Sequence, residues 1–203
     1  MNKMMNTAKT LDKVLHVFEI ITKVAFVASI VVALLLSAVL IFDIDPSMVG
    51  EMDYTVGIGD FVFELAEGVA PSADKLMLVE LIALALMIPV FFVGIKAAKA
   101  LRKVLQAMAE GNPFHAGISK QIRKLAFFEL AVGILDNVAN SIVPMISFDS
   151  FALKNILLSD KIAAVTYAPV FDIGFLIVVG ITLLLSYVFA YGERLQNLSD
   201  ETL

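Results

Sequence analysis

Four long apolar stretches dominate the pattern of this chain. Val24–Phe42 is a run without any charge. Leu76–Ile95 is a second run, interrupted by Glu80 and Pro89. Leu125–Phe148 is the third and most polar, and Ala168–Tyr191 is the fourth, with Asp172 near its start. A helix needs about 20 apolar residues to cross a hydrocarbon layer of about 30 Å. The pattern therefore predicts an all-α membrane protein, a single integral domain over residues 1–203 with spans near 24–42, 76–95, 125–148 and 168–191. The first run is longer than the core of a cleaved signal and is read as a retained span.

Between the spans the period changes. Leu11, Val14, Leu15 and Phe18 share one helical face, with Lys9, Asp12, Lys13 and His16 elsewhere. That predicts either an interfacial helix over Met1–Lys23 or a plain extension of the first span. Leu101, Val104, Leu105 and Met108 repeat at i, i+3, i+4 and i+7 and predict a second short amphipathic helix, ended by Gly111. The turn Asn112-Pro113-Phe114 cannot continue it. In the loop after span one, Phe61, Val62, Leu65, Ala66 and Val69 fit a helix. Met52–Phe63 fits an extended hairpin equally well, with Gly57 and Gly59 at its turn. In the loop before span four, Phe151, Ile156, Leu157 and Leu158 suggest a short helix, and Pro169 suits the first turn of the span itself.

Composition sharpens this picture. The chain has 203 residues, 60% of them hydrophobic, with no cysteine. Its formal charge of −5 hides an asymmetry that orients the protein. Twelve of the fifteen Lys and Arg residues fall before span one, between spans two and three, or after span four. Only Lys75, Lys154 and Lys161 lie on the other side. Basic loops stay in the cytoplasm, so both termini are expected there. Asp43–Asp74 carries eight carboxylates and no cation, without the spacing of a calcium loop, and reads as a solvated outer loop.

Candidate chemistry is sparse. In span three, Glu129, Asp136 and Asn140 recur at i, i+7 and i+11, with Asn137 beside them. Asp136 is the twelfth residue of that 24-residue run, and no Lys, Arg or His stands in the middle of any span to neutralise it. It is expected to hydrogen-bond between helices, for instance to Thr182 or Ser186, or else to line a proton or cation path. Pro144 leaves the Asn140 carbonyl without its helical partner, and Pro89 does the same to Ala85. His16 and His115 lack metal-ligand spacing. No phosphate loop, nucleophile elbow, metal motif or redox pair is present, so neither an enzyme nor a cofactor is expected, nor direct nucleic-acid binding.

Two segments resemble a known family. Leu105-Gln-Ala-Met-Ala-Glu-Gly-Asn-Pro-Phe114, followed by Gln121-Ile-Arg-Lys124, is similar to its helix, Gly-x-Pro-Phe turn and basic re-entry. Phe189-Ala-Tyr-Gly-Glu-Arg-Leu-Gln196, followed by Asp200-Glu-Thr-Leu203, resembles its C-terminal signature. The family is the uncharacterised four-span bacterial membrane family called domain of unknown function 2975. The resemblance implies no reaction. Because such genes often neighbour one for a small helix-turn-helix regulator, it implies a membrane partner that binds or restrains such a regulator. The expected docking residues are Lys99, Arg102, Lys103, Pro113, Phe114 and Arg194. The lipid bilayer is the other expected partner, and self-association is compatible with the sequence. A small transporter centred on Asp136 and a membrane-integrity or immunity protein are the alternatives.

Overall fold

The computed structural model describes residues 2–42, 55–58, 61–64, 73–150, 164, 166–169 and 171–201. Its elements run α1 (Asn2–Ile41), β1 (Thr55–Ile58), β2 (Phe61–Glu64), α2 (Ala73–Ala109), α3 (Ile118–Ser150) and α4 (Phe175–Glu201). All four helices are long and apolar enough to cross a membrane, and α3 is the least apolar of them. The protein is therefore a multi-pass membrane protein by length and composition.

The helices exceed the apolar runs: over Met1–Lys23 the extension alternative holds, while the separate short helix expected over Leu101–Met108 is corrected. α1 is unbroken over 40 residues, about 60 Å of rise. No Gly or Pro lies between Asn2 and Ile41, so nothing stops the helix at Lys23. The Leu101–Met108 stripe likewise belongs to the last turns of α2, which carries Pro89 internally. α2 then stops as its sequence dictates. Gly111 takes φ 81°. The Asn112 amide donates to the Ala107 carbonyl at 3.0 Å, and the Gly111 amide to Met108 at 3.2 Å. That is the Schellman arrangement, in which a left-handed residue lets the chain satisfy the last carbonyls.

Two other expectations change. α4 begins at Phe175, so Pro169 lies before the helix rather than in its first turn. Apolar residues ahead of Phe175 match the composition of the helix and hide its start in the sequence. Residues 55–58 and 61–64 are extended: β1 and β2 pair antiparallel with Thr55 opposite Glu64 and Ile58 opposite Phe61. Gly57 sits within β1 opposite Val62, not at the turn. The alternation of apolar and small residues wins over the helical spacing there, and the all-α description holds only outside this hairpin. The expected helix near Phe151–Leu158 lies outside the described residues, as do most of the carboxylates of Asp43–Asp74.

The chain divides into two compact units. One comprises Met1–Ala28, Ile88–Asn137 and Phe171–Leu203; the other comprises Ser29–Met87 and Val138–Val170. The first contains a buried cluster of Val104, Ala107, Ile118 and Ile122, with Met108 and Phe189 packed on it.

Candidate functional site

The basic end of the first unit is built by two junctions. The first joins α1 to α2. Arg102 on α2 donates from Nε to Asp12 Oδ1 and from Nη1 to Glu19 Oε2, both at 2.9 Å. Lys23, one turn beyond Glu19, reaches its other oxygen at 2.6 Å. Glu19 is 3% exposed and Arg102 22%. The planar guanidinium offers donors in a fork, so one Arg can hold carboxylates a helical period apart. Glu19 precedes the apolar run of α1, and its carboxyl is held below the ordinary carboxylate range. The hydrogen bond from Lys23 lowers it most and that from Arg102 next, against the opposing effect of burial.

The second junction joins the α2–α3 turn to α4. The Phe114 ring packs at a tilt against Phe189, with centroids 5.5 Å apart. A Cβ on Gly192 would run into that same ring, so only glycine lets α4 pass beneath it. Next along α4, Glu193 accepts a hydrogen bond from the Ser119 amide at 2.6 Å. A carboxylate there satisfies an orphan donor at the start of α3 and opposes the helix dipole. Arg123 on α3 lies over the Tyr187 ring at 5.5 Å. The two segments that carry the family resemblance thus meet side by side.

The expected docking residues separate into two groups. Lys99, Lys103 and Arg194 are exposed, Pro113 is half-buried and Phe114 is 37% exposed. Arg102 is instead spent on the α1–α2 ion pairs. Sequence spacing placed it with its lysine neighbours; only the tertiary pairing of α1 with α2 takes it away. The roles of Asp12, Glu19, Gly192 and Glu193 were missed. Two acids on one face of a basic segment, Asp12 and Glu19 at i and i+7, were the available signal.

The polar residues of α3 take different roles. Asn137 forms a fork: its amide nitrogen donates to the carbonyls of Gly133 and Asp172, and its oxygen accepts from the Asp172 amide, each at 2.8 Å. Asp172 in turn accepts from the Gly174 amide at 2.7 Å, fixing the entry to α4. Gly133 receives the Phe175 ring, which a Cβ would block. Asp136 is exposed, whereas Glu129 Oε2 is buried without a hydrogen-bond partner. Ser186 is buried and donates to Leu183 within its own helix at 2.8 Å. In the other unit, the Tyr167 hydroxyl donates to the Asn140 carbonyl at 2.9 Å. That is the carbonyl Pro144 leaves without an amide. Among the described residues no cluster of His, Asp or Glu could hold a metal ion.

Comparison with known proteins adds no neighbour: no family model, curated protein or solved structure matches the chain.

Proposed function

We propose that this is a non-enzymatic membrane protein of the bacterial inner membrane, with both termini in the cytoplasm, whose basic end docks a cytoplasmic regulatory protein. A small helix-turn-helix regulator is the partner the family resemblance implies. One observation carries the reading: the α2–α3 turn and the tail pack as one surface, through Phe114 on Phe189 and Gly192 and through Glu193 on Ser119. A partner can grip a composite surface of that kind without either segment having to fold on binding. Exposed Lys99, Lys103 and Arg194 lie on the same unit.

Two experiments test this. Reporter fusions after Leu203 and within 106–119 should read cytoplasmic, and a fusion within 49–70 external; the reverse pattern rejects the orientation. Affinity purification in neutral detergent should recover a cytoplasmic regulator from wild type and lose it when residues 193–203 are deleted. Recovery that survives the deletion removes the tail from the surface.

A transport reading retains one specific support, the buried and unpartnered Glu129 oxygen, since polar groups of that kind mark ion paths in membranes. That observation favours Glu129 over Asp136 as the carboxylate at the centre of this reading, so Glu129→Gln should abolish a pH-dependent flux in proteoliposomes; loss with Asp136→Asn instead would return the centre to Asp136. Absence of any such flux in wild type ends this reading.

A further inference from the structure

The packing of α1 on α2 sorts their surface into two unlike flanks. The pair is antiparallel, because Met5 lies by Gly111, Asp12 and Glu19 by Arg102, and Thr22 by Gly94. In an antiparallel pair, one residue forward from the seam turns each helix by about 100° toward the same flank. Asp12 and Arg102 define the seam. The residues one step on are Lys13 and Lys103, and Lys9 and Lys99 stand one turn before them. One step back from the seam gives Leu11 and Leu101, with Phe18 one step back from Glu19. The groove between the helices confirms the sorting. It is lined by Met4, Thr7, Leu11, Leu105 and Met108, with Lys3 as its one cation. None of Lys9, Lys13, Lys99 and Lys103 lines it.

The first flank carries a surplus of positive charge, with exposed Glu110, eight residues on from Arg102, as the acid that stands on it. Residues 1–23 and 96–110 hold eight cations and three acids in a chain whose total is −5. Two of those acids, Asp12 and Glu19, are turned into the seam and paired with Arg102 and Lys23. Lys9, Lys13, Lys99 and Lys103 are all exposed, and among the described residues none of them forms an ion pair.

We propose that Lys9 and Lys13 of α1 and Lys99 and Lys103 of α2 form one two-helix face that binds an acidic segment of a soluble protein. This rests on the cytoplasmic docking reading and names the chemistry of the partner surface. Arg102 is the positioning residue that turns the acids inward and joins the two rows of lysines. A protein segment fits the whole face better than lipid because, although Lys99 and Lys103 follow Ile95 by only 4 and 8 residues, Lys9 and Lys13 precede the apolar run at Val24 by 15 and 11. The latter two separations correspond to about 22 and 16 Å of helical rise, past the roughly 8 Å screening length of physiological salt.

The test uses the full chain in phosphatidylcholine nanodiscs and a fluorescein-labelled oligoglutamate peptide, followed by anisotropy. Wild type should bind it, with affinity falling as salt rises. The pair Lys9→Glu and Lys13→Glu should weaken binding about tenfold, as should Lys99→Glu with Lys103→Glu. The pair Lys120→Glu and Lys124→Glu, on α3, should change it less than about twofold. Matched Lys→Gln pairs should give intermediate losses, and circular dichroism should stay at wild-type helicity, because no described contact is removed. The two-helix face is overturned if the α1 pair has no effect, or if the α3 pair weakens binding as much as the others. It is also overturned if wild type ignores the peptide, and a headgroup site replaces it if wild type then retains phosphatidylglycerol that both pairs lose. A regulator that still co-purifies with the α1 and α2 pairs removes this face while leaving the docking function itself standing.

Discussion

The two units differ in where their side chains find cover. Every buried side chain described, apart from Val79, belongs to the unit of Met1–Ala28, Ile88–Asn137 and Phe171–Leu203. Within that unit most of them lie outside the apolar runs: Ala8, Glu19 and Thr22 on α1, Ala98 to Ala107 on α2, and Ile118 to Ile122 on α3. Large apolar residues are exposed in both units, Val31, Leu34, Leu35 and Leu78 in one and Val14, Phe18, Ile177 and Leu184 in the other, so the units differ in what they bury rather than in what they expose. The solvent explains the difference. In water a helix must bury its apolar face against another element, while lipid covers apolar side chains as well as protein does. The apolar runs have no solvophobic reason to pack tightly. The basic ends of the helices do.

The contrast is broken most directly by paired truncations. Ile122→Ala should cost about 2–5 kcal/mol, because Ile122 belongs to the buried cluster. Leu35→Ala, exposed in the other unit, should stay within about 0.5 kcal/mol. Equal losses in chemical unfolding from detergent would show that the units are packed alike. A change of sign tests the second junction. Gly192→Ala should cost about 1–3 kcal/mol by driving Phe114 off α4. In a Phe114→Ala background the same change should instead gain up to about 1 kcal/mol of helix propensity. A loss in both backgrounds would mean that Gly192 is required for another reason.

Acid should loosen the first unit selectively. The Glu19 carboxyl is held below its ordinary range by Lys23 and then Arg102. A lowered carboxyl contributes stability above the unfolded-state value of about 4.3, and that contribution is lost as pH falls through the still lower folded value. The thermal midpoint of wild type should therefore drop more steeply below that pH than that of Glu19→Gln. Parallel curves would remove Glu19 from the ion-pair clamp. The smallest effect is expected from Tyr167→Phe. It deletes one hydroxyl donated to the Asn140 carbonyl and should cost about 0.6 kcal/mol, the usual value for a hydrogen bond within a membrane bundle.

What sequence could and could not reveal follows from range. The four spans, the stop at Gly111 and the stranded Asn140 carbonyl are local, set by apolar runs, a left-handed residue and a missing amide, and all were legible. The length of α2 was underestimated, and that of α1 left open between two readings, because the polarity change at Lys23 and Lys96 marks a change of solvent, not of backbone. The start of α4 was misplaced because Asn137, on another helix, holds the backbone of Asp172 out of helix. The Arg102 pairs, the Gly192 contact and the Glu193 cap all join residues more than 70 positions apart, and spacing along the chain carries no record of them.

The Glu193 cap also bears on the order in which the protein can mature. The first helical pair completes its ion pairs once Arg102 has been synthesised, using only residues already made. The start of α3 has no such independence: the carboxylate that satisfies the Ser119 amide arrives 74 residues later, and Phe114 has no groove until Gly192 follows. A nascent chain that has released α3 but not α4 holds an open helix end and an unseated aromatic ring, a state that limited proteolysis of ribosome-arrested chains can detect. Maturation is thus vectorial in its first half and retroactive in its second, with the last helix finishing a corner begun long before it.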